Sequence, residues 1–353
     1  MRPALESCRS EWQERLAGTI DRAWFILGEE VAAFEREFAS FCGAPYAVGV
    51  GNGTAALDVA LRIAGIARDQ EVITTPLTAP FTAQAILAAG ATPVFADVDA
   101  ETLLLDPRRV AERITAKTAA ILPVHLYGQA CDLEELSRFG LPLIQDACQA
   151  HGALYDGRPL AAFSPFVAYS FYPTKNLPCL GDGGALLAGG ADQDRLARLL
   201  RDGARAPGHV SLMPALNSRL DEIQAALLRV FLQRLPEWND ERRRLAALYD
   251  QELAGLDSVR PVGRNPRSSH VWHLYVVRVQ ERDRLREFLR GQGVETGIHY
   301  PVPLHQQPAF RSQDRCAVAE QAVGEILSLP LWPFLPEDDA RFVAAQIRRF
   351  DAS

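Results

Sequence analysis

Tyr46-Ala47-Val48-Gly49-Val50-Gly51-Asn52-Gly53-Thr54 is the stretch that decides the fold. Tyr46 to Val50 is a short, nearly continuous apolar run, the pattern of a strand buried on both faces. Gly51-Asn52-Gly53-Thr54 turns the chain, and Ala55 to Ala64 reads as a helix that Gly65 stops. Helical and strand-like patterns alternate on both sides. Upstream, Val31, Phe34, Phe38 and Phe41 fall at helical spacing, and Gly43 follows as a stop. Downstream, strand-like runs cover Glu71–Thr75, Pro93–Val98, Ala119–Leu126, Leu141–Gln145, Val167–Phe171 and Ala185–Ala188, with helical patterns such as Ala79–Ala89 and Pro107–Ile114 between them. Buried strands alternating with helices predict an α/β fold with a mostly parallel sheet covered by helices.

The pattern changes near residue 217. Asp221–Leu235 reads as a long helix that Pro236 interrupts, and Arg242–Leu253 continues as helix. Beyond Gly255 the character is α+β, with strands at Val271–Val279 and Glu295–Ile298 and helices at Arg282–Arg290, Val318–Ile326 and Asp338–Phe350. This predicts a large domain over 1–235, with an N-terminal arm, and a smaller α+β domain over 236–353.

Composition narrows the class. The 353 residues are 48% hydrophobic and 23% charged, which is globular and not disordered. No apolar run approaches the roughly 20 residues of a membrane span, and the first residues lack the apolar core of a signal peptide. A net charge of -7 argues against nucleic acid as a partner. The six cysteines are scattered with no C-x-x-C spacing, which points to free thiols, a cytoplasmic location and no zinc site. Only two lysines occur, Lys117 and Lys175, so side-chain amine chemistry has two candidates.

Three features carry chemistry. Asp146 closes the apolar run Leu141-Pro142-Leu143-Ile144-Gln145, and ligands of open α/β sheets bind outside the carboxyl ends of strands. An aspartate there is also an ordinary turn former. Lys175 follows a strand in Ala168-Tyr169-Ser170-Phe171-Tyr172-Pro173-Thr174-Lys175-Asn176-Leu177, among apolar and aromatic neighbours, and leads into Gly181-Asp182-Gly183-Gly184. It is either a surface loop lysine or an amine held for reaction, whereas Lys117 reads as a solvated side chain. Gly51-Asn52-Gly53-Thr54 opens a helix, where unpaired N–H groups and the helix dipole suit a phosphate. It is equally a plain strand–helix turn, and it matches neither the dinucleotide nor the P-loop fingerprint. Together, a phosphate cradle, a carboxylate and a lysine are what pyridoxal 5′-phosphate requires.

The chain resembles the DegT/DnrJ/EryC1/StrS family of sugar aminotransferases from about Leu27 to Leu335. The segments that carry the resemblance are Leu27-Gly28-Glu29-Glu30-Val31 with Phe34-Glu35, Asn52-Gly53-Thr54-Ala55-Ala56-Leu57, Pro123-Val124-His125-Leu126-Tyr127-Gly128-Gln129 and Asp146-Ala147-Cys148-Gln149-Ala150-His151-Gly152-Ala153. They continue with Ser170–Leu177, Gly181–Gly184, Asn217-Ser218-Arg219-Leu220-Asp221-Glu222-Ile223-Gln224-Ala225-Ala226 and His299-Tyr300-Pro301-Val302-Pro303-Leu304-His305. The resemblance implies the type I fold of PLP-dependent transferases: a seven-stranded, mostly parallel sheet in the large domain, with a smaller C-terminal domain. It implies PLP as cofactor, Lys175 as the Schiff-base lysine and Asp146 as the partner of the pyridine nitrogen. Gln149 would contact the ring's phenolic oxygen, and Gly53, Thr54 and Ser170 would bind the phosphate. Asn217 would reach the phosphate of a neighbouring subunit, so a homodimer with shared sites is expected. Arg219, Tyr300 and His305 fall where the family approaches its substrate. Their alternatives are a helix-start ion pair for Arg219 and a packed loop for Tyr300 and His305.

The implied activity is transfer of an amino group from glutamate or glutamine to a nucleotide-linked keto-sugar, in amino-sugar biosynthesis. A keto-cyclitol acceptor and a non-catalytic regulatory protein of the same fold are the alternatives. A dehydratase of this fold would carry histidine in place of Lys175. Two positions depart from the family pattern. Ala79 stands where an aromatic residue usually stacks on the ring, so either Phe81 supplies the stack or the ring goes without it. Gln145 stands where an acidic residue often precedes the aspartate.

Overall fold

The computed structural model describes residues 1–352. Seven strands form the body of the first half: β1 (Tyr46–Val50), β2 (Glu71–Thr74), β3 (Thr92–Phe95), β4 (Thr118–Leu122), β5 (Ile144–Asp146), β6 (Phe166–Ser170) and β7 (Gly184–Ala188). One sheet has the order β3-β2-β4, all parallel, and the other β1-β7-β6-β5. In the second, β5 and β6 are parallel, and β7 runs antiparallel to both β6 and β1. Parallel bridges Ile121↔Leu143 and Val124↔Asp146 lay the end of β4 beside β5. Apart from β7, the carboxyl ends of these strands therefore leave on one side.

Both faces of the strands are buried. On β6, Val167 and Tyr169 join the core that holds Phe34, Phe38, Phe171 and Phe231, while Phe166 and Ala168 join the opposite core of Val48, Leu57, Leu61 and Ile144. This is why β1 and β6 read as continuous apolar runs rather than alternating ones. The helix Gly53–Ile63 packs on β6 and β7, and the helix Glu29–Phe41 packs on β1.

Two of the sequence segments meet as a structural joint. The buried Glu222 carboxylate accepts from the backbone N–H groups of Gly28 at 2.8 Å, Glu30 at 2.9 Å and Val31 at 2.9 Å. It thereby satisfies the free amides that open the helix Glu29–Phe41. From the same segment, Ser218 Oγ accepts from Gly51 N at 2.9 Å and ties residues 217–222 to the turn after β1.

The second half holds an antiparallel sheet of β8 (Val259–Pro261), β9 (Tyr275–Val279) and β10 (Ile326–Leu329). With the helices Arg282–Gly291 and Glu337–Asp351, it encloses a core that includes Leu245, Tyr249, Val277, Leu285 and Ile347.

Several expectations are corrected. Pro236 does not interrupt the helix, which runs 31 residues from Glu222 to Glu252. An interior proline costs about 3 kcal/mol, and burial of Leu235, Trp238 and Asn239 around it offsets that cost. Glu295–Ile298 is not a strand; only Gly297 bridges, to Ser328. The expected strand at Val271–Val279 begins at Tyr275, and the helix expected over Val318–Ile326 ends at Glu325, where β10 starts. The N-terminal arm is helical, over Arg2–Ser7 and Arg9–Arg22. No helix of the described residues is long and apolar enough to cross a membrane.

Candidate active site

A cavity of about 620 Å³ opens at the carboxyl ends of the strands and is lined by Gly53, Thr54, Asp146, Ser170, Lys175 and Tyr300, among others. Two of these, Asp146 and Ser170, are the last residues of strands. Asp146 ends β5 and is buried, at 5% exposure. Both of its oxygens are held: Oδ2 accepts from Thr82 Oγ1 at 2.9 Å and Oδ1 from Cys148 N at 3.1 Å. Gln145, on the opposite face of the strand, turns away. Its Oε1 meets His125 Nε2 at 2.8 Å and its Nε2 donates to the Leu160 carbonyl at 2.9 Å. His125 Nδ1 accepts from Cys131 N, so the ring proton sits on Nε2 and donates to Gln145. Burial holds this imidazole neutral, its pKa pushed down to about 4.

The turn after β1 forms a close-fitting cradle. Asn52 caps the helix by accepting from Ala55 N at 2.9 Å. The N–H groups of Gly53 and Thr54, in the first helical turn, have no intrahelical acceptor. A Cβ on Gly53 would lie 2.7 Å from Cys148 Sγ and 2.9 Å from Ser170 Cβ. A Cβ on Gly184, at the start of β7, would lie 2.4 Å from the Asn52 carbonyl carbon. Glycine is thus required at both positions by close approach, and the amides sit against the end of β6, where Ser170 presents its hydroxyl.

Lys175 lies in the loop after β6, half-buried, with its backbone N–H donating to the Tyr172 carbonyl at 2.8 Å. The next residue fastens the loop: Asn176 Nδ2 donates to Asn239 Oδ1 and to the Val271 carbonyl, both at 2.9 Å. Lys175 Nζ makes no hydrogen bond or ion pair among the described residues. Lys117 is exposed and lies before β4, outside this cavity.

Gln149 sits in a directed chain. Its Oε1 accepts from Tyr127 N at 2.7 Å, which fixes its amide so that Nε2 donates to the Tyr300 hydroxyl at 3.0 Å. Tyr127 adopts a positive φ of 61°, and its own hydroxyl donates to the His299 carbonyl at 2.6 Å. Burial and the nearby Asp146 raise the Tyr300 pKa, so it remains a neutral phenol.

Other expected site residues lie elsewhere. Arg219 pairs with Asp202 at 2.7 Å, and Asn217 bridges the backbone of Asp202; neither lines the cavity of this chain. Asn217 does not open a helix, because Asp221 is the N-cap of Glu222–Glu252. His305 is buried with Nε2 2.9 Å from Glu320 Oε1 and does not line the cavity. Leu304 N donates to the Pro76 carbonyl at 2.8 Å, so this loop braces the segment leading to Thr82. Ala79 and Phe81 both line the cavity, and Phe81 is 57% exposed. Thr82, Cys148, Asp182 and Tyr127 join the site or its supports without having been singled out in the sequence. Tyr127 and Cys148 lay inside quoted segments, whereas Thr82 had no local signal.

Comparison with known proteins follows the same lines. The sequence profile described as the DegT/DnrJ/EryC1/StrS aminotransferase family matches residues 6–348. The dTDP-3-amino-3,4,6-trideoxy-alpha-D-glucose transaminase of Streptomyces venezuelae is 40% identical over 358 residues, covering 99% of this chain and 94% of the relative. A pleiotropic regulatory protein of Geobacillus stearothermophilus is 41% identical over 356 residues, covering 98% of this chain and 95% of the relative. Among solved structures, that of S. venezuelae DesV superposes with a TM-score of 0.97 at 40% identity, covering 100% of this chain and 97% of the other.

Proposed function

The chain belongs to the DegT/DnrJ/EryC1/StrS aminotransferase family, and on that premise we propose that it is a PLP-dependent aminotransferase acting on a nucleotide-linked keto-sugar, with glutamate or glutamine as amino donor. The observation that carries this reading is that an unpaired lysine amine, a doubly held carboxylate and a glycine-floored helix N-terminus line one cavity. A regulator that bound a ligand without chemistry has no need of Lys175 there.

The residues fit PLP. The Gly53 and Thr54 amides, the Thr54 hydroxyl and Ser170 would receive the phosphate. Asp146 would face the pyridine nitrogen, and Gln149, with one N–H of Nε2 still free, would meet the phenolic oxygen. When bound, the cofactor supplies an electron sink for the carbon that loses its proton. The protein does the rest. Lys175 Nζ would hold the cofactor's aldehyde, and its free amine would move the proton at the donor's α-carbon. Asp146, fixed by Thr82 and Cys148, would keep a proton on the pyridine nitrogen by its negative charge. Its burial keeps water from screening that charge.

Asn217, which does not line this chain's own cavity, is assigned to the phosphate in the site of a second subunit of a homodimer, and Arg219, paired with Asp202 here, to the approach of the substrate. His305 is read as a brace for the Tyr300 loop instead of a substrate contact. Phe81, two residues after Ala79, lines the cavity, and the ring-stacking role is assigned to it. We also read the two sheets of the first half as one seven-stranded sheet. The large domain is taken as 1–235 and the small one as 236–353, with the helix Glu222–Glu252 passing through both.

The test is a panel of keto-sugar nucleotides and keto-cyclitols presented to the pyridoxamine-loaded protein, with product amines identified by mass. Turnover of a nucleotide-linked keto-sugar is expected. Turnover of cyclitols alone would overturn the acceptor class, and uptake of PLP without turnover of any acceptor would favour a binding protein.

A further inference from the structure

Lys175 and Tyr300 stand in the wall between two cavities. A second cavity, of about 600 Å³, shares Thr174, Lys175 and Tyr300 with the first and extends to Trp238, Arg242, His273, His299 and Trp332. The two differ in charge. The first is lined by Asp146 and Asp182. Among the described residues that line the second there is no aspartate or glutamate.

Arg242 gives this cavity an unbalanced positive charge. It is 6% exposed and comes from the middle of the helix Glu222–Glu252. Its Nη1 donates to the carbonyls of Trp272 at 3.1 Å, His273 at 3.4 Å and Leu331 at 3.2 Å. Its Nε is buried without a partner, and no carboxylate of the described residues pairs with the guanidinium. Burial draws its pKa down to about 10, so it is a cation at neutral pH. Burial also holds His273 and His299 neutral, so neither imidazole adds to or cancels the charge. A buried cation without a counter-ion is costly, and an anion arriving with a ligand would relieve that cost.

The position of Lys175 identifies the anion. In an amino acid, a carboxylate is attached to the very carbon whose amine must reach the lysine. In a nucleotide sugar, the sugar ring separates the diphosphate from the reacting carbon. An anion site that shares a wall with the reacting lysine therefore suits the amino acid. We propose that this second cavity is the amino-donor subsite, in which Arg242 receives a carboxylate of the donor while the donor amine faces Lys175. The proposal rests on the aminotransferase reading above and extends it to the donor.

The experiment uses the PLP-loaded protein, with glutarate as an amine-free dicarboxylate probe, and two variants, Arg242→Lys and Trp332→Glu. Trp332 is 39% exposed, so a glutamate there places a negative charge on the cavity wall without disturbing the core. It carries the test if Arg242→Lys fails to fold. The wild type is expected to bind glutarate by calorimetry. Both variants should weaken that binding and raise the donor KM by at least about tenfold, the effect of about 1.4 kcal/mol of lost attraction. The keto-sugar half-reaction, started from the pyridoxamine form, should keep its KM. Glutarate binding unchanged in both variants overturns the proposal, as does a KM increase confined to the keto-sugar, which would assign the cation to the diphosphate. If the wild type moves no amino group in either half-reaction, the aminotransferase reading fails, and the glutarate titration still tests the cavity.

Discussion

Thr82 Oγ1 donates to Asp146 Oδ2 across 2.9 Å, joining residues 64 positions apart in the chain. The donor sits on the helix Pro80–Ala88 and the acceptor at the end of β5, so the orientation of the carboxylate depends on how helix and strand pack. A hydrogen bond to an ionised acceptor is worth about 1.5–3 kcal/mol. Thr82→Val is therefore expected to slow both half-reactions by about 10- to 100-fold if the loss falls on the transition state. PLP affinity should change little, and Thr82→Ser should recover most of the rate. An unchanged rate in Thr82→Val would show that Asp146 does not need this partner.

Asp146→Asn tests the charge. Both groups that hold Asp146 are donors, and an amide offers them only one acceptor oxygen. The variant should still take up PLP, since Lys175 is intact. Its half-reaction rates should fall by about 100- to 1000-fold, the scale for removing one preorganised electrostatic partner. Normal half-reaction rates would contradict the assignment.

Asn217 separates a shared site from a self-contained one. Since the helix begins after Asp221 and Asn217 lies outside it, Asn217→Ala should leave the melting temperature of the cofactor-free protein unchanged. PLP should bind more weakly, and its stabilising effect should shrink accordingly. Mixing Asn217→Ala with Lys175→Ala subunits should restore activity, up to half per heterodimer, because one site then carries neither change. Subunit exchange without recovery would rule out sharing.

Stability should depend on pH through buried imidazoles. Burial pushes the pKa of His125 to about 4 and that of His151 to about 3. The unfolded chain takes up these protons near 6.5, so the unfolded state binds more protons between that pH and about 4. Stability is thus full above about 6.5 and declines as pH falls through this window. Urea unfolding of the cofactor-free protein at pH 7.5 and 5.0 should show a lower midpoint at the acid pH. Equal midpoints would contradict the burial of neutral imidazoles.

Much of the site is legible in sequence because it sits at or just beyond the carboxyl ends of apolar strands. Asp146, Lys175, Gly53, Thr54 and Ser170 each follow or open an apolar element, and the parallel order of the strands collects those ends at one edge. Contacts between distant segments leave no local mark. Thr82 looks like any helix residue until β5 is placed beside it, and Glu222 reads as a first-turn acid although its carboxylate caps a different helix. Pro236 misleads for a related reason: local propensity ends a helix that packing on both sides keeps whole. His305 belongs to a segment that sequence associates with substrate, yet the fold turns it inward onto Glu320.

The central claim is that Lys175 is the amine that holds the cofactor. The most direct measurement is to incubate the protein with PLP, reduce it with borohydride and map the pyridoxyl group by peptide mass. One pyridoxyl group per chain on Lys175, with Lys117 unlabelled, is the expected result. Label on Lys117 alone, or no label after saturation with PLP, would contradict it.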